Sequence, residues 1–285
     1  MMRWLMAVAG IAAVVMAPLV GAEDTPRLVT ADGAITEIVF QLGAGDQVVG
    51  VDTTSGYPDA TESLPKVGYL RALPFEGVLA LKPDMLITSD QAAPAENLNR
   101  LSRAGVRVEQ LASARTPEAA MRRIERIGEL LGAVEQAQTL TGELRANMEQ
   151  TRKAAANRGF RPRVLFILAA GNHSVMLAGQ GTSAEALLNS VGADNAVADI
   201  KGYKPANREA ILASQPDAIV IAESTPGQFN IENWPGIERL DAWQAGNRLI
   251  ADSMLLLGFG PRLPQAMSQL SRVLPVDSHV AANDS

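Results

Sequence analysis

The chain has 285 residues, 25 Lys and Arg against 31 Asp and Glu, a net charge of −6 and a mean hydropathy of +0.05. An acidic balance without clustered lysines argues against a nucleic-acid partner, and the length exceeds what one hydrophobic core usually needs, so two domains are expected. There is no cysteine, hence no disulfide and no cysteine for a lipid anchor. Aromatic residues make up only 4%, so a flat ligand would have to be held mostly by aliphatic walls.

Residues 1–22 read as a secretory signal. Arg3 supplies a positive start, an apolar run extends from Trp4 to Val20, and the small residues Val20-Gly21-Ala22 precede polar Glu23-Asp24-Thr25-Pro26. A membrane anchor is the competing reading, because the run approaches spanning length. The well-formed cleavage site favours export to the periplasm as a free protein.

Residues 23–115 are expected to form a first α/β lobe. Within it, Thr36 to Ala44 has apolar residues at helical spacing and stops at Gly43-Ala44. Glu76 to Ile87 reads as a short helix, a Pro83-Asp84 turn and a buried strand. Residues 116–158 have a different texture, rich in Ala, Leu, Glu, Gln and Arg. Thr116 suits an N-cap and Pro117 a first helical position. Gly132 divides this stretch, and the second helix, roughly Val134 to Ala156, would extend about 35 Å at 1.5 Å per residue. A helix is a stiff link, so wide hinge closure is not expected.

Residues 159–276 are expected to form the second lobe, opening with the strand Val164 to Leu168. Ala184 to Ala193 then echoes Thr36 to Ala44, and Glu209 to Val220 echoes Glu76 to Ile87. In both copies Glu stands seven residues before Pro-Asp, and a Leu-Ala pair falls at the same place. Strands alternating with helices imply parallel sheets flanked by helices. The fold class is therefore α/β, with two Rossmann-like lobes of parallel sheet joined by a long rigid helix. Residues 277–285 form a polar tail that includes His279.

Three segments carry a resemblance that covers the whole chain after the signal. They are Val67-Gly68-Tyr69-Leu70-Arg71-Ala72-Leu73, directly ahead of Glu76; Gly202-Tyr203-Lys204-Pro205; and Leu255 to Arg262. With the paired Glu…Pro-Asp motifs, the chain resembles the helical-backbone class of ABC-importer binding proteins, which serve cobalamin, siderophores and heme. Within that class it most resembles the periplasmic heme-binding proteins. The resemblance implies that ferric heme is captured between the lobes, with Tyr69 as iron ligand and Arg71 hydrogen-bonded to its oxygen. It also implies that Glu76 and Glu209 dock on the permease dimer of an inner-membrane importer. An outer-membrane heme receptor would be an indirect partner, and the chain would act as a monomer.

The chemistry of Tyr69 can be argued separately. Ferric iron favours an anionic oxygen, and a phenolate is a known protein ligand of heme iron. A free phenol ionises near pH 10, so a nearby cation helps. On an extended segment, residues 69 and 71 would share one face. Tyr203 is expected to face Tyr69 from the other lobe, whereas Tyr57, before Pro58, reads as a turn residue. Candidates for the propionates are Arg71, Lys204, Arg208 and Arg262. Apolar walls could come from Leu70, Leu73, Phe75, Phe229, Met254 and Leu256. His173, in the loop after Val164 to Leu168, is the candidate second iron ligand, against a solvated loop histidine. Glu76 and Glu209 could also do no more than stabilise a helix N-terminus.

The alternative ligands are cobalamin, whose sites are more aromatic, and ferric siderophores, whose sites need basic clusters. A dedicated zinc or manganese site would need several converging His and carboxylates. No nucleophile elbow, phosphate loop or cysteine nucleophile is present, so the chain does not read as an enzyme.

Overall fold

The computed structural model describes residues 25–169 and 175–276. The signal, His173 and the polar tail with His279 lie outside the described residues. The first lobe runs β1 (Leu28–Ala31), α1 (Gly33–Gln41), β2 (Val48–Val51), α2 (Phe75–Leu79), β3 (Met85–Ser89), α3 (Ala95–Arg103) and β4 (Arg107–Leu111). Its four strands are parallel in the order β2-β1-β3-β4. Central β1 and β3 are buried along their whole length, as expected of a parallel sheet covered on both faces.

Two helices follow, α4 (Pro117–Leu131) and α5 (Val134–Ala156). The Thr116 side chain accepts the Ala119 amide at 3.1 Å, and Gly132 adopts a left-handed φ of 69° that ends α4. The second lobe contains β5 (Arg163–Ala169), β6 (Val175–Ala178), α6 (Ser183–Ser190), β7 (Asp194–Asn195), β8 (Tyr203–Pro205), α7 (Arg208–Ser214) and β9 (Ala218–Glu223). It continues with α8 (Pro235–Glu238), α9 (Asp241–Gln244), β10 (Arg248–Asp252), α10 (Ser253–Leu257) and α11 (Leu263–Val273). The sheet order is β10-β9-β5-β6-β8, and β7 pairs with the start of β5.

This second sheet keeps a parallel core of β10, β9, β5 and β7 and adds two antiparallel pairings at one edge. Strand β6 runs antiparallel to β5, and β8 antiparallel to β6. The reason is connection length. Residues 170–174 are too few to hold a crossover helix, so the chain can only return antiparallel.

The internal echoes fold into matching parts. Helices α1 and α6 both stop at a glycine with positive φ, Gly43 at 80° and Gly192 at 70°. The following Ala amides bond five residues back, Ala44 to Val39 at 3.0 Å and Ala193 to Leu188 at 2.9 Å, completing a Schellman stop. The Pro-Asp motif has one job in both lobes. Asp84 accepts the backbone amide of Arg27 at 2.8 Å, just before β1, and Asp217 accepts that of Arg163 at 2.7 Å, at the start of β5. In each case the carboxylate satisfies an amide at the entry to the central strand.

The lobes share their packing. One buried apolar cluster includes Ile38 of α1, Ile124 of α4, Leu144 of α5, Phe166 of β5, Leu187 of α6 and Met267 of α11. Beyond α5, Arg158 donates to the Val191 carbonyl at 3.0 Å, tying the helix to the second lobe. Relative movement of the lobes would disturb this continuous core.

Candidate functional site

Tyr69 stands on a loop that is fastened from behind. Val67, Leu70 and Leu73 are buried in the first lobe's own apolar cluster, while Tyr69 between them is 47% exposed. Gly68 makes this possible, since its φ is +112° and a Cβ there would lie 2.8 Å from Pro74 Cδ. The Gly68 carbonyl accepts from Thr53 at 2.9 Å, and the Ala93 amide bonds the Leu70 carbonyl at 3.1 Å. Burial of every third residue thus holds the backbone while the phenol projects outward. Leu70 and Leu73, together with Leu256, are core residues rather than walls of the cleft.

Arg71 does not lie on an extended segment with Tyr69, as the sequence suggested. Leu70–Ala72 forms a single 3₁₀ turn that begins after Tyr69, closed by the Ala72 amide on the Tyr69 carbonyl at 2.8 Å. The Arg71 guanidinium instead hydrogen-bonds the Gln91 side-chain oxygen. Gln91 donates in turn to Ser113 at 2.9 Å, whose hydroxyl bonds Asp90. These residues follow β3 and β4, so the carboxyl ends of the first sheet position Arg71.

From the second lobe, Tyr203 opens β8 and is half-buried, and the charges of Arg71 and Arg115 act on its phenol. Burial pushes this phenol above its ordinary value, and the arginines oppose that only in part. Tyr203 is therefore a neutral phenol at physiological pH. Lys204, the next residue on β8, is exposed and has no ion pair among the described residues.

Arg262 occupies the opposite, β2–β10, edge of the lobe junction. It donates from Nε to Glu37 on α1 at 3.0 Å and approaches Asp252 at 3.5 Å, with its side chain only 18% exposed. Its guanidinium also lies 4.2 Å from the centre of the Tyr57 ring. Arg123 adds a second tie, donating to the carbonyls of Gly258 and Phe259 at 2.7 and 3.0 Å. The charge of Arg262 is thus already matched by Glu37 within the lobe junction. Tyr57 belongs to the same junction, beyond its expected turn role. Sequence reasoning missed Glu37, although a lone carboxylate inside the apolar helix Ile35-Thr36-Glu37-Ile38-Val39 was a usable signal.

Glu76 and Glu209 hold equivalent places, each the second residue of its short helix, α2 or α7. Both are exposed, and Glu76 makes a surface ion pair with Arg100 at 3.3 Å. Arg208 is exposed at the first position of α7. Among the described residues no group of three or more His, Cys, Asp or Glu could hold a metal ion, and no helix is long and apolar enough to cross a membrane.

Two α/β lobes joined by a helix, with polar side chains on the loops between them, are the architecture of a solute-binding protein. Residues 28–255 match the Periplasmic binding protein family, and the chain belongs to it. A solved periplasmic heme-binding protein from Pseudomonas aeruginosa is 35% identical with a TM-score of 0.79, over 87% of this chain and 92% of that one. A substrate-binding lipoprotein of an ABC transporter from Bacillus subtilis is 28% identical over 265 residues, 90% of this chain and 82% of that protein. A vitamin B12-binding protein from Salmonella choleraesuis is 28% identical over 224 residues, 74% of this chain and 77% of that protein.

Proposed function

We propose that this protein captures ferric heme between its lobes through the Tyr69 phenolate and delivers it to the permease pair of an ABC importer. The observation that carries the reading is Tyr69 itself. It is a large, 47% exposed phenol on a loop whose neighbours at 67, 70 and 73 are locked in the core. A side chain held out in this way is poised to meet a ligand. Arg71, Tyr203 and Lys204 surround the heme in this reading, and His173 is the candidate for a second axial position. The likeness to the Pseudomonas heme-binding structure supports it.

Hemin titration followed by absorption tests the proposal. The chain from Glu23 onward should bind one equivalent with a high-spin, tyrosinate-type ferric spectrum. Tyr69→Ala should weaken binding by at least about tenfold, or switch the ligand. Unaltered binding in that variant rules out the iron-ligand role. The alternative, a cobalamin or ferric-siderophore carrier, is favoured by the vitamin B12-binding relative; it predicts tight cobalamin or siderophore binding and no Tyr69-dependent hemin spectrum.

The two exposed glutamates are the proposed docking points, one on each lobe, for cationic residues of the two permease subunits. A Glu76→Ala, Glu209→Ala double variant should keep its hemin affinity and lose import. Uptake at the wild-type rate in cells would remove the docking role.

A further inference from the structure

Glu223 ends β9 with only 6% of its surface exposed. Its carboxylate accepts the backbone amide of Gly227 at 2.9 Å and that of Phe229 at 2.7 Å. A carboxyl group this far from water needs such partners, and here they come from its own chain, four and six residues on. The loop is thus folded around the side chain from which it springs.

The loop is fastened at both ends. The Ser224 amide bonds the carbonyl of Ala169, the last residue of β5, at 3.0 Å. Phe229, a candidate wall on sequence, is half-buried against the second lobe's own apolar cluster. Between these points the Gln228 amide closes a turn on the Thr225 carbonyl at 3.3 Å, with Gly227 at a φ of 79°. Pro226-Gly227 suits the two central positions of a type II turn. Ser224 to Gln228 are all exposed.

The sheet brings this turn to the cleft. Asp252, the last residue of β10, is level with Glu223 and approaches Arg262 in the lobe junction at 3.5 Å. Adjacent strands lie about 5 Å apart, so the loop leaves the sheet one strand inside the junction. It does so at the carboxyl end, where open α/β sheets receive ligands. The amides of Gly227 and Phe229 turn inward to Glu223, and Pro226 has none. The turn therefore offers the Pro226 ring and few backbone donors, a surface suited to an apolar face rather than to an anion.

We propose that the Thr225–Gln228 turn is a rigid contact of the second lobe with the apolar face of the captured heme, and that Glu223 is the positioning residue that holds it. The inference rests on the heme reading and adds the part of the second lobe that meets the ring. A loop ordered before the ligand arrives loses less entropy on binding, and the buried carboxylate supplies that order.

Hydrogen exchange read by mass spectrometry, on the chain from Glu23 onward, tests the contact and the positioning separately. Hemin should slow exchange across residues 224–229, which a merely structural loop would not show. Glu223→Gln puts an amide NH₂ where one acceptor oxygen stood, so exchange of this segment in the apo protein should speed up. Hemin should then leave about tenfold faster, the scale of one lost hydrogen bond, as read by transfer to excess apomyoglobin. The Tyr69-dependent spectrum should be unchanged. Gly227→Ala keeps Glu223 and adds a Cβ that meets nothing within 4 Å, but a side chain at that φ strains the turn. It too should speed hemin release. Exchange across 224–229 that hemin does not slow, or release at the wild-type rate in either variant, overturns the contact and leaves the Tyr69 spectrum standing. Apo exchange unaltered by Glu223→Gln overturns the positioning role. Without any Tyr69-dependent hemin spectrum in the wild type, the heme reading and this inference fall together.

Discussion

At both ends of the lobe junction arginine stands beside tyrosine, but the two ends differ in how far their charges are matched. At the β2–β10 end, Arg262 lies over Tyr57 and is held by Glu37 and Asp252, while Arg123 binds the carbonyls of Gly258 and Phe259. At the β4–β8 end, the charges of Arg71 and Arg115 act on the Tyr203 phenol, and both arginines are exposed and make no ion pair among the described residues. Burial accounts for the difference. The Glu37 side chain is 4% exposed, and an ion taken that far out of water must be paired. Arg71 and Arg115 keep contact with solvent, which tolerates an unmatched charge. The matched cluster joins the lobes, whereas the exposed arginines keep their charge open to solvent.

The largest effect should come from unbalancing the matched end. Burial raises the pKa of Glu37 despite Arg262 beside it, while Glu37 raises that of Arg262 against its own burial; a buried ion pair is weak evidence for net stability while both members are present. Removing one is different. Arg262→Ala would leave the Glu37 carboxylate buried and alone, which typically destabilises by about 3–5 kcal/mol. Urea denaturation of the apo protein measures this directly. Arg115→Ala, at an exposed site, should stay within about 0.5 kcal/mol of wild type. Equal losses in the two variants would erase the contrast between the ends.

The sequence made some of these features legible and hid others for physical reasons. The echoes worked because local chemistry repeats. A Gly stop and a Pro-Asp turn satisfy the same backbone groups in each lobe, and those groups lie within a few residues or at the edge of the next strand. Helices α4 and α5 were legible from Thr116, Pro117 and Gly132 for the same reason. The lobe junction was not. Glu37 and Arg262 are separated by 225 residues, and nothing local marks them as a pair. Arg71 shows the same limit on a smaller scale. Its spacing from Tyr69 fits an extended segment, but the chain closes a 3₁₀ turn there, and Gln91 and Ser113, from distant loops, decide where the guanidinium goes.

The smallest expected effect tests whether the charges of the unmatched end act on one phenol. Burial holds the Tyr203 phenol above its ordinary value, and the Arg71 and Arg115 charges pull against that shift. Because the folded pKa is raised, the folded chain keeps this proton at a pH where the unfolded chain has lost it. The resulting stability is complete below about pH 10 and declines as pH rises through the folded value. Tyr203→Phe should flatten that alkaline decline while changing stability at neutral pH by only about 1 kcal/mol. Arg115→Ala should move the onset of Tyr203 phenolate absorbance to higher pH, since one opposing charge is gone. The Tyr203 component is identified by difference from Tyr203→Phe. An onset that does not move would mean that Arg115 does not act on Tyr203. The two arginines would then be separate surface charges, and the likeness between the ends of the junction would be superficial.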